Sequence, residues 1–121
     1  MLVVEDEEEV RRAAVAILQR GGYKIIEACD GPEALEQMGN GDPIDLLFTD
    51  LVLPKGMNGM ELAIEAEKSQ PGLNTLFTTG YAENAALPDD RLGKDANLIS
   101  KPYRRTDLLD KVRSVLDSAK K

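Results

Sequence analysis

Five short apolar runs, at residues 1–4, 23–28, 44–49, 73–78 and 97–100, recur along the chain with helical spacing between them. Each is the length of a strand buried on both faces, which reads as continuously apolar rather than alternating. Strands alternating with helices predict a parallel sheet covered by helices on both sides. That pattern dictates an α/β fold of three layers. At 121 residues there is room for one such domain and one core, so the whole of 1–121 is taken as a single domain.

The helices announce themselves by caps and spacing. Val10, Ala13, Ala14, Ile17 and Leu18 step at three and four residues until Gly21-Gly22 stops them. Asp30-Gly31-Pro32-Glu33 predicts a capped start for a segment carrying Ala34, Leu35 and Met38 and ended by Gly39. Asn58 with Glu61 three residues on is a capping signature for a helix carrying Leu62, Ala63 and Ala66. Thr106 is expected to cap the last helix, with a face of Leu109, Val112 and Leu116. Residues 83–95 contain Pro88, Asp89-Asp90 and Gly93, which predicts a turn or two of helix at most.

Charge and composition remove several classes of function. With 15 basic and 22 acidic residues, the formal charge of -7 repels nucleic acid backbones and anionic lipid. Neither direct nucleic acid binding nor membrane contact is expected. No run approaches the length of a membrane span, and no signal-peptide pattern opens the chain, so the expected setting is the cytoplasm. The single cysteine, Cys29, leaves no internal disulfide or thiolate metal cluster and reads as a small core or near-surface residue. There is no histidine. Chemistry must therefore run on carboxylates, hydroxyls and lysines.

In an open parallel sheet, ligands bind at the carboxyl ends of the strands. Glu5 and Asp6 follow the first run, Asp50 the third, Thr79-Gly80 the fourth and Lys101-Pro102 the fifth. Each has an ordinary reading when taken singly. Glu7, Glu8 and Glu9 suit an acidic first turn, Asp50 a loop cap, Thr79-Gly80 a turn, and Lys101 a solvated strand end. Their coincidence at one sheet edge is what carries meaning. Three carboxylates together call for a cation, and oxygen ligands suit magnesium, or manganese. A hydroxyl and an ammonium beside them suit phosphoryl oxygens, and a carboxylate can accept a phosphoryl group as an aspartyl-phosphate.

VVED, the run ending in Asp50 with LVLP after it, TTGYA and SKPY, in this order and spacing, resemble the receiver domain of two-component response regulators. The resemblance spans essentially the whole chain. It implies a flavodoxin-like fold with strand order 2-1-3-4-5 and a weak fourth helix. It makes Asp50 the phosphoacceptor, with Glu5, Asp6, Asp50 and the Val52 backbone carbonyl as magnesium ligands. By the same resemblance Thr79 is the switch hydroxyl, and Lys101 pairs with the phosphate. The implied partner is a sensor histidine kinase or a histidine phosphotransfer domain. No conventional substrate turnover is implied; such domains promote their own phosphorylation and dephosphorylation.

Departures from the family pattern carry expectations of their own. The loop PKGMNG is one residue longer than the commonest form and resembles receivers attached to hybrid histidine kinases. A first strand so near the terminus suggests a segment of a longer chain. Leu98 stands where the family has its aromatic switch, so a monomer or weak dimer is expected. Val52 and Tyr81 flank the path of a hydrolytic water in the family and here are apolar and aromatic, which implies a long-lived phosphoryl group. Two other functions compete: a small magnesium-dependent phosphatase using Asp50, and a receiver-like interaction module that is never phosphorylated.

Overall fold

The computed structural model describes residues 1–39, 43–53, 56–79, 98–100 and 103–119. Its strands are β1 (Leu2–Val4), β2 (Ile26–Ala28), β3 (Leu46–Asp50), β4 (Asn74–Thr79) and β5 (Leu98–Ser100). The described helices are α1 (Glu8–Arg20), α2 (Gly31–Gly39), α3 (Gly59–Ser69) and α4 (Arg105–Ala119). All pairings are parallel, and the order is β2-β1-β3-β4-β5. The expected fold and strand order are thus borne out. The weak helix expected at 83–95 falls outside the described residues, as do Tyr81 and Lys101. None of the described helices is long and apolar enough to cross a membrane.

The sheet separates two cores, and strand parity assigns residues to them. Met1, Val3, Leu46, Phe48 and Leu76 face α1 and α4, packing on Ala14, Leu18, Leu108 and Val112. Leu2, Val4 and Leu47 face α2 and α3, packing on Ala34, Leu62 and Ala66. Every residue of β3 is buried, because this strand has a neighbour on both sides and a helical layer on both faces. Removing a fully buried leucine such as Leu46 or Leu47 from water contributes about 1.5–3 kcal/mol.

The caps hold in two places and fail in one. Asn58 and Glu61 form a complete capping box, with reciprocal bonds of 2.8 and 3.1 Å. The Asp30 side chain accepts from the Glu33 backbone N–H at 2.8 Å, as the sequence predicts. Beyond α1, Gly22 adopts φ +94, a conformation that stops a helix at little cost only for glycine. At α4 the expectation of Thr106 is corrected. The helix starts at Arg105, Arg104 receives the first helical bond at its carbonyl, and Asp107 accepts the Arg104 N–H at 3.2 Å. Thr106 lies inside the first turn.

The α4 face also differs. Leu108, Val112 and Val115 are buried, while Leu109 and Leu116 are only partly so. On α1, Val15 joins Ala14 and Leu18 in the core, and Ala13 is exposed.

Candidate functional site

The carboxyl ends of β1 and β3 are neighbours because those strands pair directly, Val4 opposite Thr49. Glu5 continues the parity of Met1 and Val3, and Asp50 that of Leu46 and Phe48. Both carboxylates therefore emerge at the top of the α1/α4 core rather than in open loops. Glu5 and Asp50 are each 5% exposed, whereas Asp6 is open to solvent. One oxygen from each of Glu5, Asp6 and Asp50 lies within 4.8 Å of the others.

Asp50 is the last residue of β3, and Thr79 the last of β4; the sequence reading placed both just beyond their strands. The difference matters for rigidity. Asp50 pairs with Thr78, and the ladder continues past it through the Leu51 N–H, which donates to the Thr78 carbonyl at 2.9 Å. The Thr49 hydroxyl donates to the Asp50 carbonyl at 3.0 Å, and the Val52 N–H donates to Asp50 Oδ1 at 3.2 Å. Asp50 is held by the sheet on one side and by the following loop on the other. Val52 is 54% exposed beside it. Thr79 closes β4 opposite Ser100, and Leu98 pairs with Phe77 and is partly buried.

Two further residues shape the site without a strong sequence signal. Gly59 opens α3 against the end of β3, donating its N–H to the Leu51 carbonyl at 2.8 Å. A Cβ at this position would run into the Asp50 backbone carbonyl. The available clue was its place directly after the Asn58 cap. Thr78, 4% exposed, shares the Asp50 face and lines a cavity of about 10 Å³ with Glu5, Asp50, Phe48 and Tyr103, room for about one water molecule. The Phe48 and Tyr103 rings in its lining pack at a centroid distance of 6.2 Å.

The donor set fits a hard divalent cation. It offers carboxylate oxygens from three side chains, two of them preplaced by burial, and no nitrogen or sulfur. Cys29 takes no part. Burial, reinforced by the neighbouring Asp30 and Glu33 carboxylates, pushes its thiol above the usual range, so it stays protonated and poorly nucleophilic.

Comparison with known proteins agrees with this arrangement. The chain belongs to the response regulator receiver domain family, whose model matches residues 1–113. It is 36% identical to the response regulator receiver protein CpdR of Brucella abortus over 98% of both chains. It is also 36% identical to part of the sensor kinase CckA of the same organism, covering 97% of this chain but 12% of that one. Among solved structures, the N-terminal domain of a response regulator/sensory box/GGDEF protein from Carboxydothermus hydrogenoformans superposes with a TM-score of 0.85. The identity there is 26%, covering 98% of this chain and 94% of that one. The chain is a receiver domain of the two-component class, a phosphoacceptor module of signal transduction.

Proposed function

We propose that Asp50 takes a phosphoryl group from a phosphohistidine of a sensor kinase or phosphotransfer domain. The convergence of Glu5, Asp6 and Asp50 at the ends of β1 and β3 carries this reading. An Asp50 oxygen attacks phosphorus; the P–O bond forms as the P–N bond breaks, and the imidazole leaves. Glu5, Asp6, Asp50 and the Val52 carbonyl would hold magnesium, which would neutralise the crowded carboxylates and the phosphoryl oxygens. Thr79 and Lys101 then receive the transferred group by hydrogen bond and ion pair, and the end of β4 adjusts to it. The relation to part of a sensor kinase supports a place in a hybrid chain, and an aliphatic Leu98 in place of the aromatic switch supports a monomer or weak dimer in both states.

Incubation with acetyl phosphate and magnesium separates the competing functions. One phosphoryl group retained on the intact protein is the expected result. Turnover of the donor with no group retained would indicate a phosphatase, and neither turnover nor addition an unphosphorylated interaction module.

Magnesium affinity is expected to fall about tenfold or more in Asp6→Asn, because a site with few protein ligands loses much of its charge with one carboxylate. Calorimetric titration of wild type and variant checks this. Equal dissociation constants would remove Asp6 from the ligand set.

The lifetime of the phosphorylated form follows from what flanks Asp50. Val52 offers no polar side-chain group to line up a hydrolytic water, and loss of such positioning costs on the order of tenfold in rate. Val52→Asn combined with Tyr81→Glu is expected to shorten the lifetime by about that factor, followed as phosphate release. An unchanged rate in the double variant would show that these positions do not set it.

A further inference from the structure

Arg11 bridges two strand ends beside the acidic cluster. Its Nη1 donates to the Glu5 backbone carbonyl at 2.9 Å, while its Nε pairs with Glu27 Oε1 of β2 at 3.1 Å. The side chain is 17% exposed, against 46% for Glu27. Glu7, the N-cap of α1, makes no side-chain capping bond. The Glu5 N–H extends the β1/β2 ladder by donating to the Ala28 carbonyl at 3.1 Å, and the Asp6 N–H donates back to Glu5 Oε2 at 3.1 Å. The peptide between Glu5 and Asp6 is thus fixed from its carbonyl side by Arg11.

We propose that Arg11, braced by Glu27, is a positioning residue that sets the Glu5–Asp6 peptide so that both carboxylates converge on Asp50. This rests on the reading of the three carboxylates as a magnesium site. The guanidinium suits the task because its planar fork presents Nε and Nη donors in fixed relation, one to each strand end. With its Glu27 partner 46% exposed, the ion pair adds little to global stability, so its effect is local.

The sign of the effect discriminates this role from simple electrostatics. A cation next to a cation site weakens metal binding, so loss of charge alone would tighten it. Loss of positioning does the opposite.

The test is magnesium titration of the full chain by calorimetry, with phosphorylation by acetyl phosphate measured at limiting and saturating magnesium. Arg11→Ala is expected to raise the dissociation constant about five- to tenfold. Its phosphorylation should slow at limiting magnesium and recover at saturation. Glu27→Ala, a milder change at a half-exposed position, is expected to raise the constant two- to threefold. Arg11→Lys, which cannot serve both strand ends in the same geometry, should fall between wild type and alanine. Unchanged or tighter binding in both alanine variants would overturn the proposal, as would slowing that saturating magnesium does not restore. If wild type and Asp50→Asn bind magnesium equally, the site reading itself fails, and the positioning role with it.

Discussion

Asp50→Asn abolishes phosphoryl uptake: intact-mass analysis after acetyl phosphate treatment is expected to show one added group on wild type and none on the variant. The amide is isosteric with the carboxylate but has no anionic oxygen to form an acyl phosphate. It also removes one of the three charges gathered within 4.8 Å. Glu5, 5% exposed, and the solvent-facing Asp6 share the charge. Neither has Asp50's place on the last rung of the β3–β4 ladder. A second readout is independent of phosphorylation. Magnesium at ten times its dissociation constant stabilises wild type by about 1.4 kcal/mol, a rise in Tm of roughly 5 °C, and the rise should largely disappear in Asp50→Asn. Full labelling of the variant would move the acceptor elsewhere.

Gly59→Ala is expected to damage both the fold and the placement of Asp50. The new methyl group would overlap the Asp50 carbonyl oxygen and lie 2.9 Å from its carbon and 3.0 Å from the Leu51 Cα. All three are backbone atoms of a strand end, so no rotamer change relieves the clash. Overpacking of this kind costs about 2–3 kcal/mol, or roughly 10 °C in Tm, and relief by backbone shift displaces Asp50. Gly39→Ala provides the contrast, since a Cβ at Gly39, on the exposed end of α2, meets nothing within 4 Å. There the lower entropy of the unfolded chain predicts a neutral or slightly stabilising change of about 0.5 kcal/mol. Thermal melts of the two alanine variants settle the comparison. Equal Tm values would show that the close approach at Gly59 is not required.

Much of the molecule was legible in the sequence because the signals were local. Five apolar runs became five strands within two or three residues, and the Asn58–Glu61 and Asp30–Glu33 spacings became real caps. The readings that failed depended on partners distant in sequence. Leu108 and Leu109 are both apolar, and only the tilt of α4 on the sheet decides that Leu108, Val112 and Val115 turn inward. Thr106 is a favourable cap residue by type, but the described chain enters the helix two residues earlier and uses Asp107 to hold the Arg104 N–H. Gly59 and Arg11 carried no pattern of their own. Their significance lies in the β3 carbonyl and the β1 and β2 ends that they meet, which periodicity does not reveal.

The connection from β3 to α3 is fastened twice, by the Gly59 N–H on the Leu51 carbonyl and by the reciprocal Asn58–Glu61 bonds. The first of these closes the loop on itself, so the start of α3 and the residue after Asp50 share one hydrogen-bonded junction. Leu51 and Gly59 thus work as a clasp: the carboxyl end of β3 and the start of α3 move as one unit, and a displacement of either is handed to the other across a single 2.8 Å bond.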